Sequence, residues 1–325
     1  MEEQRNIIKG VFFVGFGAAM YGMLATFVKI AYNEGYTTAE VTTAQFSIGL
    51  IILFLINQIR KLFGNNPVSV KKGDTKKLVI AGTSYGCTSL FYYLSVQYID
   101  VSIAIILLMQ SVWLSVVVEA FIDKKPPELK KIIATIIVLL GTFFATNVLQ
   151  SDVQLDIRGL FWGMMAASSY TATMFTANKI ANYLPPTQKS FIMLIGGAIV
   201  IFLFLIFSQI GPYYFDSFKS IYLTFSEDTS GIRAFNWNIF VGFGLFLAVF
   251  GTVLPPIFLN KGFPHAGLGL GSIVSSIELP VSVMMALILL GEKIAPIQWF
   301  GIVLILAAII LMNLNKELKF LLKKG

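Results

Sequence analysis

The residue best suited to chemistry is Glu278, an acid at the centre of the apolar run 266–290. If that run lies in hydrocarbon, an ionised acid there costs roughly 2.5–3.5 kcal/mol. Glu278 must therefore face a cavity, find a partner or carry a proton. One reading makes it a solute- or proton-binding group, the other a protonated acid bonded to a neighbouring helix. Ser276 adds a hydroxyl two residues away. Gln110, Ser111 and Trp113 form a second polar centre near the middle of the run 101–122. Gln110 could bind solute or tie two helices together, a bond worth about 1 kcal/mol. Glu119, near the end of that run, reads as a rim carboxylate reaching water or as a second acid of the site. Tyr21, Tyr170, Tyr85, Tyr92 and Tyr93 supply phenols that could line a cavity for aromatic or amphipathic solutes. They could equally pack, with each hydroxyl bonded across helices. Lys29 and Lys179 end their runs as snorkelling anchors or as attractors of an anionic solute.

Other chemistries lack their residues. Cys87 is the one cysteine and His265 the one histidine, so no disulfide framework, thiolate metal site or His-rich zinc site can be built. The glycines of Gly267-Leu268-Gly269-Leu270-Gly271 and the pair Gly82 and Gly86 have no Lys-Ser/Thr or strand context for a phosphate loop. On membrane helices such spacing permits close packing. With no nucleotide motif, any transport must run on gradients. A membrane enzyme acting on lipid-linked substrates, the alternative function, would need a cluster of His, Asp or Cys at an interface, which this chain does not offer. A structural subunit of a larger complex is a third possibility, with no motif of its own.

The elements that hold these residues follow from composition. Of 325 residues, 56% are hydrophobic and 13% charged, and the mean hydropathy is +0.79. Soluble domains carry about 25% charge, so this chain is an integral membrane protein. Ten runs are long enough to cross: 10–31, 39–58, 77–96, 101–122, 131–149, 157–180, 190–210, 237–258, 266–290 and 295–314. A helix crosses about 30 Å of hydrocarbon in about 20 residues. The runs do not alternate in polarity, which excludes a β-barrel. The fold class expected is all-α with ten transmembrane helices. Nineteen of the 24 Lys and Arg fall on the segments that share a side with the N-terminus, against five on the other. The positive-inside rule then puts both termini in the cytoplasm and the polar, aromatic segment 211–236 outside. That segment reads as a loop with an interfacial helix, or as a lid.

The chain also repeats itself. Lys9-Gly10-Val11-Phe12 matches Arg158-Gly159-Leu160-Phe161, Lys29-Ile30-Ala31 matches Lys179-Ile180-Ala181, and Tyr21 falls opposite Tyr170. Asp123-Lys124-Lys125-Pro126 matches Glu292-Lys293-Ile294-Ala295-Pro296 at an offset enlarged by the 211–236 segment. On that later offset Gln110 falls beside Glu278. The halves are 1–150 and 151–325, five spans each. An odd number inverts the second copy, the architecture of transporters that rock about a midplane site.

Glu278-Leu279-Pro280-Val281, Leu289-Leu290-Gly291-Glu292 and Gln298-Trp299-Phe300-Gly301, within a five-plus-five repeat, resemble the EamA branch of the drug/metabolite transporter superfamily. Ser111 stands where that family often has proline, and Asp123 where it usually has glutamate. The resemblance implies transport without naming the cargo. Together with the repeat and the phenols, the function expected is a secondary active transporter that exports or exchanges small metabolites, amino-acid-like or amphipathic, by alternating access. The implied partners are a small-molecule substrate, membrane lipid and a coupling proton, with no cofactor and no nucleic acid; the oligomeric state stays open. Lys-rich inner loops and the absence of an N-x-S/T sequon suggest a bacterial inner membrane, with an organelle membrane as the alternative.

In a Cys87→Ser background, single cysteines at 65 and 225 should react with an impermeant thiol reagent from opposite sides of the membrane. Labelling from the same side would overturn the inverted repeat.

Overall fold

The computed structural model describes residues 2–64, 67–99, 101–146, 156–225, 231–291 and 294–321, and all regular structure among them is helical. The boundary between the halves at 150/151, the acids Glu227 and Asp228, and the motif residues Glu292 and Lys293 lie outside the described residues. Every one of the ten apolar runs carries helix. They form α1 (Glu2–Asn33), α2 (Thr38–Leu62), α3 (Asp74–Tyr98), α4 (Val101–Leu108), α5 (Ser111–Asp123), α6 (Leu129–Ala145), α7 (Ile157–Lys179) and α8 (Pro186–Leu205). After these come α9 (Gly211–Tyr214), α10 (Asp216–Phe225), α11 (Phe243–Leu247), α12 (Leu254–Ala266), α13 (Leu268–Ser275), α14 (Glu278–Leu290) and α15 (Pro296–Leu321). Among the described residues, six helical stretches are both long and apolar enough to cross a membrane. Helix α3 falls short in apolarity because Thr83, Ser84, Thr88, Ser89 and Gln97 are spread along it.

The runs are not all continuous helices, and proline explains most of the interruptions. The run 266–290 breaks at Ser276–Ile277 between α13 and α14. Pro280 has no N–H to offer the Ser276 carbonyl four residues back, and that carbonyl accepts from Leu279 N instead, at 3.2 Å. Residues 206–210 and 248–253 widen into π-helix just ahead of Pro212 and of Pro255-Pro256. The run 101–122 breaks at Met109–Gln110 without a proline. Here Gln110 N turns to Leu107 O at 3.0 Å and abandons Ile106 O, which the side-chain Nε2 of Gln110 then takes up at 3.0 Å.

Small residues set the closest helix crossings. A Cβ on Gly82 would lie 2.1 Å from Met193 O, and one on Gly196 only 1.9 Å from Val79 O, so α3 and α8 touch backbone to backbone. Helix α1 meets α12 in the same way through Gly10 and Gly262. The major pairings are α3 with α7 and α8, α1 with α12 and α14, α2 with α8, and α6 with α15. The largest apolar core joins residues of both halves, from Val14 and Val112 to Tyr170, Phe263 and Ile305.

Candidate functional site

The helix breaks converge on a pocket of about 60 Å³. Glu278 enters it from the first turn of α14, with Leu279 and Ser282. Leu108, next to the 109–110 break, enters from α4; Tyr21 comes from α1, Gln45 from α2, Tyr85, Ser89, Tyr92 and Tyr93 from α3, and Tyr170 from α7. Gly22 makes this meeting possible, since a Cβ there would sit 2.3 Å from Glu278 O. Tyr21 and Tyr170 pack edge to face with ring centroids 6.2 Å apart. The Tyr170 hydroxyl lies near both Ser275 and Glu278. It forms no well-aligned hydrogen bond to either, and Glu278 Oε2 is likewise buried without a partner among the described residues.

A chain of phenols answers a backbone deficit. Prolines at 255 and 256 leave the Gly251 carbonyl without a donor whether the turn is α or π. Tyr85 supplies one, its hydroxyl donating to Gly251 O at 2.5 Å, and the Tyr21 hydroxyl donates to Tyr85 Oη at 3.3 Å. Tyr93 donates to Gln45 Oε1 at 3.2 Å.

Four of the sequence candidates thus meet: Glu278, Tyr21, Tyr170 and Tyr92. Four do not. Gln110 bonds within its own stretch of chain, to Ile106 O and, through Oε1, to the indole N–H of Trp113 at 2.9 Å. The pairing of Gln110 with Glu278 in one pocket is therefore not what the structure contains, because the amide is consumed by the break it sits on. Ser276 is fully buried and donates back to Ile273 O at 2.6 Å. Glu119 pairs with Lys131 at 2.5 Å and lies against Gly267 and Gly269.

A larger vestibule of about 630 Å³ opens between the α1–α2 turn and the segment after α10. It lies about two helical turns from the pocket, since α2 contributes Thr38 to the one and Gln45 to the other. Tyr222, Gly231 and Arg233 of the 211–236 segment form part of its wall. The segment holds the amphipathic helix α10, so it contains a surface helix and covers a cavity at once.

Family comparison agrees with the geometry. The EamA-like transporter family matches the chain over residues 8–147 and again over 157–314. The chain belongs to that family. A curated relative of this EamA chain, the uncharacterized inner membrane transporter YicL of Salmonella typhimurium, is 24% identical over 317 residues, covering 95% of this chain and 96% of the relative. A known crystal structure superposes at a TM-score of 0.68 with 11% identity, over 93% of this chain and 97% of the other, and thus shares the fold.

Two buried ions of this EamA chain escaped sequence reasoning. Glu40 is 0% exposed and accepts four hydrogen bonds. They come from Thr37 N at 2.9 Å, Arg233 Nη2 at 2.6 Å, Gln209 Nε2 at 2.9 Å and Asn236 N at 2.8 Å. The available signal was Thr37-Thr38-Ala39-Glu40, which forms a capping box at the start of α2. Lys189 is 1% exposed and donates to Ala177 O and Asn182 Oδ1, each at 2.9 Å, closing the C-terminus of α7. Glu40 and Lys189 stand at the same offset as Tyr21 and Tyr170, each in the first turn of its half's second helix.

Replacing Tyr85 by Phe strips Gly251 O and Tyr21 of their partner without changing volume. The variant should lose about 1–3 kcal/mol of stability, read as a lower Tm of purified protein. An unchanged Tm would mean that Gly251 O is satisfied in another way.

Proposed function

We propose that this EamA chain is a secondary active transporter of the inner membrane that exports or exchanges small metabolites by alternating access, with Glu278 as its coupling group. The observation that carries the proposal is an acid on a helix break, facing a pocket, with one carboxylate oxygen unpartnered by any described residue. Irregular backbone at membrane depth is tolerated only where it is buried in protein or lines a cavity, and in transporters broken helices surround the substrate. Family membership and the printed name of the Salmonella relative support a transporter over an enzyme.

Ten spans in two inverted halves, with both termini cytoplasmic, complete the proposal. The two separate family matches support the division into halves. So does the packing: exchanging the halves turns α3 on α7 into α12 on α1, and leaves α6 on α15 and α2 on α8 as pairs. In this topology the vestibule is on the outside and Glu40 and Lys189 sit on opposite sides.

The pocket, at about 60 Å³, is far smaller than the roughly 300–1,000 Å³ of ligand sites. Solute therefore requires the helices to part, and the breaks beside the pocket are where they can. Its phenols and single acid suit an amino-acid-like or amphipathic solute whose cationic group exchanges with a proton on Glu278. Glu278→Gln retains the volume and mimics the protonated acid. The folded variant should lose solute flux driven by a pH gradient in liposomes while retaining exchange of solute for solute. Wild-type pH-driven flux from a folded variant would make Glu278 a packing residue.

A further inference from the structure

We propose that the vestibule is itself a binding site, distinct from the Glu278 pocket, and that it takes aromatic carboxylates through Arg233. Its volume, about 630 Å³, admits a ring of that size without any helix movement. Tyr32, Tyr36, Phe91, Tyr98, Trp162 and Tyr222 supply aromatic faces. An aromatic box by itself would suit a cation. Charge decides otherwise, because Arg233 is a cation in the lining and no Asp or Glu lines it among the described residues.

Arg233 is also held ready. Its Nη2 is committed to Glu40 and to Gly35 O, at 2.6 and 2.7 Å. Nη1 makes no hydrogen bond to a described residue, and 39% of the side chain remains exposed. The buried Glu40 thus fixes the guanidinium through one nitrogen and leaves another for a ligand. Thr38 and Ala39, in the first turn of α2, line the same space, and their N–H groups have no helical acceptor. A carboxylate there would meet a guanidinium and a positive helix end, while its ring lies against the aromatic walls. Only the assignment of this face to the outside rests on the transport reading.

The test is calorimetric titration of purified protein in lipid nanodiscs, with no gradient and no flux, so its outcome is separate from that of Glu278→Gln. The probes are para-hydroxyphenylacetate, tyramine and acetate, which carry ring with anion, ring with cation, and anion alone. Para-hydroxyphenylacetate should bind at least about tenfold tighter than either of the others. The double variant Glu40→Gln/Arg233→Gln removes both charges together, so that no buried carboxylate is stranded. It should weaken that binding about tenfold and abolish the preference over tyramine. Trp162→Leu leaves the ion pair intact and should weaken the aromatic carboxylate several-fold, which decides the matter if the double variant fails to fold. Absence of para-hydroxyphenylacetate binding would overturn the proposal, as would tyramine binding as tightly. A wild-type Kd in the folded double variant or in Trp162→Leu would overturn it as well.

Discussion

Hydrocarbon offers no hydrogen bonds, so a membrane helix may be interrupted only where something inside the protein replaces the bonds it gives up. The architecture depends on that constraint. At Met109–Gln110 the amide side chain of Gln110 replaces the missing backbone donor to Ile106 O. Ahead of Pro255 the phenol of Tyr85 replaces the missing donor to Gly251 O. At Ser276–Ile277 the turn tightens, and Leu279 N takes the carbonyl that Pro280 cannot reach. Each remedy consumes a polar side chain or tightens a turn, and the side chains left over around the same breaks become the pocket. Glu278 is the chief remainder, a carboxylate whose Oε2 no described residue satisfies.

The buried ions divide into two kinds. Glu40 is saturated, accepting four hydrogen bonds, while Lys189 closes a helix end through two. Removing Arg233 alone would strand the buried Glu40 carboxylate, a loss that costs about 3–5 kcal/mol in buried pairs. Glu40 and Lys189 therefore pin the connections between the first and second helices of the halves. Glu278 is unsaturated and sits where helices are already broken. An ion whose shell is complete holds structure, and one whose shell is incomplete is available to a proton or solute. This contrast separates Glu40 from Glu278 more sharply than burial does, since both are buried or partly buried.

Much of this was legible in the residues. Glu278 stood out because an acid is rare within an apolar run, and Tyr21 and Tyr170 because a repeat pairs them; they meet edge to face at 6.2 Å. Among the described residues every apolar run carries helix. What could not be read was the local use of each polar group. Gln110 looked like a partner for Glu278 because offset arithmetic aligns the runs, but arithmetic does not see which carbonyl a broken turn leaves unpaired. Glu119 resolved into an ion pair with Lys131, twelve residues away and on the next helix. Glu40 was hidden because a capping glutamate at the start of a helix is ordinary, and its remaining partners, Gln209, Arg233 and Asn236, lie far away in the chain. The vestibule depends on the same long-range meeting of the α1–α2 turn with the 211–236 segment.

The central claim is that the pocket around Glu278 opens in turn to each side of the membrane. Ser89 lines that pocket from α3. In a Cys87→Ser background, Ser89→Cys can be labelled with an impermeant thiol reagent added to one face or the other of oriented proteoliposomes. The account predicts labelling from both faces, with the two rates shifting in opposite directions when the imposed pH gradient is reversed. Labelling from one face only, at a rate indifferent to the gradient, would contradict it.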